Sequence, residues 1–151
     1  MIVHRLCRAR FRALDGDGAR QYGGRWNSPG RPVLYTASTL SLAALEYLVH
    51  LNVADAPNDL VALEIELPGS LAIERLDTRD LPIGWHTGPD VVECRAHGDR
   101  WLAAQSSPIL AVPAAPVPSE WNYLINPAHP ACSGVVVVRE APFHFDPRLV
   151  S

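Results

Sequence analysis

Short apolar runs of strand character outnumber helical stretches in this chain, and the two kinds do not alternate. Residues 1–6, 31–36, 60–67, 109–112 and 134–139 carry β-branched or alternating apolar side chains. The clearest is L-V-A-L-E-I-E-L at 60–67, whose period-two pattern describes a half-buried strand. Helical character is confined to 38–51 and 91–105. In the first, Ser38 or Thr39 offers an N-cap, and Leu42, Leu45, Leu48 and Val49 form the expected apolar stripe. In the second, Gly98 reads as a weak point. Residues 8–20 and 52–59 read as loops, and 113–130 as a proline-rich, polar connection. The pattern predicts one α+β domain over residues 1–151, with mixed or antiparallel sheets and a few helices. A doubly wound parallel sheet would need a regular strand–helix rhythm.

Length and composition narrow the function classes. A chain of 151 residues can bury one core without metal or disulfide support. Hydrophobic residues at 48% and charged residues at 19% exclude a disordered chain. A formal charge of -3 supplies no pull toward nucleic acid or an anionic membrane. All 13 basic residues are arginine, but they are scattered, which fits a coding bias better than a phosphate-gripping cluster. Cys7, Cys94 and Cys132 are far apart and form no C-x-x-C pair, which argues against a zinc site or a disulfide framework. Unpaired thiols, and no apolar leader or membrane-length run, lead us to expect a cytoplasmic protein.

Four places carry residues suited to chemistry. In G-G-R-W-N at 23–27, the glycines permit close backbone approach. Arg25 can fork onto a phosphate or carboxylate, and Trp26 can pack beneath it or stack on a ring. An ordinary turn around a buried Trp is the commoner meaning of such a run. Tyr35 ends the strand before the first helix and can wall a cleft or sit in the core. Glu46 lies within that helix, with His50 four residues on and on the same face; a solvated surface carboxylate is the commoner case. Finally, 118–130 holds Ser119, Asn122, Asn126 and His129 among turn-forming prolines. Phosphate-loop, dinucleotide-fingerprint, H-E-x-x-H and nucleophile-elbow motifs do not occur.

Taken in order, these pieces resemble the RES-domain family. The matching segments are G-G-R-W-N at 23–27, V-L-Y-T-A at 33–37, S-L-A-A-L-E-Y-L-V-H at 41–50, G-D-R-W-L at 98–102 and the E-W-N-Y-L-I-N-P-A-H-P run ending at Pro130. The resemblance implies an ADP-ribosyltransferase-like fold and a bacterial toxin paired with an Xre-like antitoxin. It implies a reaction that breaks the nicotinamide–ribose bond of NAD, by phosphorolysis or hydrolysis, with protein ADP-ribosylation as an alternative. It assigns catalytic roles to Arg25, Tyr35 and Glu46, and substrate contacts to Trp26, Asn27, Ser119 and Asn122. NAD is then the substrate and phosphate a possible co-substrate; no metal or bound cofactor is implied. The chain departs from the family at one point: the expected V-P-S step reads Val112-Pro113-Ala114, and Ser119 lies five residues later. A catalytically impaired domain that binds NAD or a partner is the reading this departure favours.

Overall fold

The computed structural model describes residues 1–89 and 91–151. Its seven strands are β1 (Ile2–Arg8), β2 (Leu34–Ala37), β3 (Leu60–Glu66), β4 (Ile73–Arg75), β5 (Ile109–Pro113), β6 (Trp121–Ile125) and β7 (Val136–Pro142). Three helices accompany them: α1 (Asp17–Tyr22), α2 (Leu40–Leu48) and α3 (Val92–Ala104). The strands form one mixed sheet in the order β4-β5-β6-β2-β1-β3-β7. The expected α+β class holds, with a single sheet. One element of β-α-β character was not anticipated. β4 and β5 pair in parallel, with α3 between them in sequence.

Two more elements escaped the sequence pattern. The stretch 113–130 contains β6, an interior strand that pairs with β5 on one side and β2 on the other. W-N-Y-L-I alternates well enough, but five residues between prolines are too short for periodicity to outweigh the flanking turn formers. The stretch 8–20 contains the start of α1, a short polar helix with no buried residue, so it has no apolar stripe to find.

The sheet has a core on each face. Val3, Cys7, Leu34, Leu63, Ile65, Ile109 and Ile125 pack on one side. The other side is covered by α2 and α3. Trp26, Cys94, Trp101, Leu102, Leu110, Val112 and Leu124 pack under α3. Leu6, Ala37, Leu42, Ala43, Leu60 and Ala114 pack under α2. Thr39 caps α2, its hydroxyl accepting from the Leu42 amide at 3.1 Å, which satisfies one of the amides left over at a helix start.

The face that α2 buries differs from the expected stripe. Leu42 and Ala43 are buried, while Leu45 and Val49 are 41% and 61% exposed. The inward face continues instead through Glu46 and Tyr47, which are half-buried. Small residues let the helix sit close to the sheet, and the polar side chains on its inner face border a cleft rather than fill a core. Gly98 also has a different meaning. A Cβ there would lie 1.6 Å from the Trp26 carbonyl oxygen, so the bare glycine is what lets α3 touch the turn at 23–28.

Candidate active site

The 23–28 turn is held from several sides. Gly24 and Asn27 form a small antiparallel bridge, Gly24 N donating to Asn27 O at 2.9 Å. The Asn27 amide nitrogen donates to the carbonyls of Ala19 at 3.0 Å and Ser28 at 3.1 Å. From β2, the Tyr35 hydroxyl donates to Asn27 Oδ1 at 2.7 Å and accepts from the Trp26 amide at 3.1 Å. From α3, Asp99 accepts from the Ser28 amide at 2.8 Å and from the Ser28 hydroxyl at 2.6 Å. A Cβ on Gly24 would meet the Tyr35 hydroxyl at 2.6 Å, so glycine is required there for the tyrosine to reach the turn.

This bracing points Arg25 at a cleft between the turn, α2 and the strand ends. Two hollows make up the cleft. One, of about 260 Å³, is lined by Arg25, Tyr35, Glu46, Asn122, His4 and Tyr47 among others. The second, of about 300 Å³, is lined by His86, Thr87, Gly88 and Pro89 with the outer end of α2. Arg25, Glu46, His50 and Ala115 border both, so the hollows meet at the arginine and the glutamate. The Arg25 guanidinium donates to the backbone carbonyls of Trp85 at 2.8 Å and Gly88 at 2.6 Å, which fastens the 85–88 loop beside the second hollow. Glu46 accepts a 2.6 Å bond from the amide of Asn122 on β6.

The fold therefore gathers Arg25, Tyr35, Glu46 and Asn122, residues that are far apart in sequence. Trp26 also borders the first hollow, but it is 2% exposed and its indole packs against Trp85 at 5.9 Å, which makes it a floor rather than a free stacking surface. Asn27 is fully buried, and both ends of its amide are spent inside the turn. It shapes the site without facing the cleft. Ser119 is exposed on the β5–β6 connection and lines neither hollow. The expected substrate contact from Ser119 therefore has no place in either hollow. Ala114 is itself fully buried beneath α2, and its neighbour Ala115 lines the cleft.

Sequence reasoning missed His4 and Arg5 on β1, Tyr47 on α2 and His86 with Thr87 in the loop. His50 had one signal, its helical spacing from Glu46. The β1 residues had none, because only the pairing of His4 with Ala37 brings that strand to the cleft.

The tyrosine hydroxyl is a brace. Burial pushes its phenol well above the ordinary range, against the pull of the Trp26 amide bonded to it. It stays protonated at neutral pH and is engaged on both sides. Tyr35→Phe keeps the ring but orphans a buried amide and the Asn27 acceptor. We expect a loss of about 1–3 kcal/mol in urea unfolding. A variant as stable as the parent contradicts the bracing role.

The comparisons with known proteins agree with this architecture. The chain matches the RES domain over residues 2–146. It is 38% identical over 139 residues to the Prs ADP-ribosylating toxin of a Sphingobium species, covering 91% of this chain and 86% of that protein. It is 38% identical over 152 residues to the Toxin Res of Yersinia enterocolitica, covering 99% of each. Among solved structures, a chain of the M. tuberculosis MbcT–MbcA toxin–antitoxin complex superposes with a TM-score of 0.78 at 22% identity, over 99% of this chain and 86% of that one, which establishes a shared fold. From the braced Gly-Gly-Arg-Trp-Asn turn to the strand that carries Asn122, this chain belongs to the RES-domain family.

Proposed function

We propose that this protein is the toxin of a toxin–antitoxin pair and that it consumes NAD by cleaving the nicotinamide–ribose bond. The observation that carries the proposal is the placement of Glu46 and Arg25 on the shared border of two hollows. A molecule with a glycosidic bond at one end and a pyrophosphate further along suits two joined compartments with an acid and a guanidinium between them. In the reaction, the bond from the ribose anomeric carbon to the pyridinium nitrogen breaks, and its electron pair leaves with nicotinamide. The sugar passes through an oxocarbenium-like state. The Glu46 carboxylate stabilises that positive charge more than it stabilises the ground state, which is the condition for catalysis. A phosphate oxygen, or water with loss of a proton, then bonds to the anomeric carbon.

Arg25 keeps two of its donors on the loop carbonyls and has others left to meet phosphate oxygens, since a guanidinium carries five. Tyr35 acts by holding the turn that aims Arg25. Among the described residues, no three His, Cys, Asp or Glu side chains are grouped so as to hold a metal ion. Among the described residues, no helix is long and apolar enough to cross a membrane. The partner in this reading is an antitoxin, supported by the toxin names of the relatives and by the toxin–antitoxin complex one chain of which shares the fold; its Xre-like type rests on the family resemblance.

Two other readings have an observation behind each. A relative named as ADP-ribosylating favours transfer to a protein. Alanine at 114 favours an impaired domain. Incubating the protein with NAD, with and without phosphate, and following free nicotinamide separates them. Release that rises with phosphate is the expected result. Release only in the presence of a protein acceptor that gains label indicates transfer. NAD binding with no release indicates the impaired domain.

A further inference from the structure

The amide of Asn122 has an unequal set of partners. Its nitrogen donates to Glu46 at 2.6 Å, and its oxygen is buried with no partner. Asn122 is 8% exposed, on an interior strand of the sheet. A buried amide oxygen without a donor costs free energy, and native structures leave few of them.

The register shows which residues surround this amide. Asn122 stands opposite Val112 on β5 and opposite Ala37 on β2. Side chains alternate along a strand, so Ala114 shares the face of Val112 and lies diagonal to Asn122. The ladder continues to that point, with the Ala114 amide donating to the Glu120 carbonyl at 2.9 Å. Ala114 packs with Ala37 and with Ala43 of α2, one turn before Glu46 on the same helix face. Ala43, Glu46, Asn122 and Ala114 therefore occupy one layer between helix and sheet. A methyl group at 114 supplies no hydrogen bond to it.

We propose that Asn122 is the positioning residue for Glu46, and that Ala114 leaves its amide held from one side only. The proposal rests on the reading of Glu46 as the catalytic carboxylate. The Asn122 nitrogen fixes one carboxylate oxygen and so sets how the other faces the cleft. With its own oxygen unpartnered, the amide is anchored by that single bond. A hydroxyl at 114 gives the layer a second donor and a more rigid carboxylate.

The test uses the full-length ¹⁵N-labelled protein and its Ala114→Ser, Asn122→Ala and Glu46→Gln variants. In side-chain amide spectra, Glu46→Gln is expected to move the Asn122 NH₂ signals upfield, because a neutral acceptor replaces a carboxylate. Ala114→Ser is expected to slow their exchange with solvent. In NAD turnover with phosphate, Asn122→Ala should lower kcat about tenfold with KM changed less than about twofold, and Ala114→Ser should raise kcat several-fold. A residue that only packs would leave the amide signals indifferent to position 46 and would not split kcat from KM. Asn122 signals that do not move in Glu46→Gln, or parental kcat in Asn122→Ala, overturn the proposal. Should Asn122→Ala fail to fold, the spectra of the other two variants decide. If the parent releases no nicotinamide, the proposed function falls, while the amide signals still report whether Asn122 holds Glu46.

Discussion

Glu46→Gln is expected to reduce nicotinamide release by on the order of 10³-fold while leaving the fold intact. The substitution is isosteric. The glutamine side-chain oxygen still accepts from the Asn122 amide, so the 2.6 Å contact that locates the side chain survives. What disappears is the negative charge that the sugar meets as its base departs. The melting temperature should stay within about 2 °C of the parent, since a half-buried acid exchanged for its amide opens no cavity. Steady-state turnover beside a thermal melt checks both halves of the statement. A glutamine variant that turns over NAD like the parent removes Glu46 from the mechanism. One that loses activity only by unfolding leaves its chemical role without support.

The largest effect on stability is expected from Gly98→Ala. Alanine is ordinarily the better helix residue by about 1 kcal/mol. Here the added carbon would sit 1.6 Å from the Trp26 carbonyl oxygen and 2.7 Å from its carbon. Both are backbone atoms, so no side chain can swing aside, and α3 must move off the turn. Overpacking of this kind costs about 3 kcal/mol. For a chain of this length that lowers the melting temperature by roughly 10 °C. Activity should fall with it, because Asp99, the next residue on α3, anchors Ser28 and so the turn that carries Arg25. Gly18→Ala is the control. Gly18 is exposed in α1, nothing lies within 4 Å of where the alanine methyl would sit, and the substitution should be neutral or slightly stabilising. Equal behaviour of the two variants would mean that α3 and the turn are not in intimate contact.

Residue types alone favoured ordinary structural roles for Arg25, Tyr35 and Glu46, and the resemblance to the RES-domain family is what singled them out. A carboxylate among leucines and alanines and an arginine beside two glycines are local features, and the structure places them around one cleft with Tyr35, which lies within β2 rather than at its end as expected. Asn27 and Trp26 are legible as part of the same turn but not in their roles. Whether an asparagine faces a ligand or its own backbone depends on partners such as the Ala19 carbonyl and the Tyr35 hydroxyl. Ser119 shows the converse error. It is a serine close in sequence to Ala114, but side chains are placed by strand register, and register leaves it exposed on a connection.

The chain's own pattern was sufficient for the α+β class, for helices near α2 and α3, and for five of the strands, because each of these is written in the periodicity of neighbouring residues. Tertiary structure alone decided that β6 lies inside the sheet between β5 and β2, that β4 runs parallel to β5, that α2 turns Leu45 and Val49 outward, and that Gly98 is a contact point. Those outcomes depend on pairings between residues tens of positions apart. A local window records which side chains prefer burial, but not which distant strand or helix will bury them.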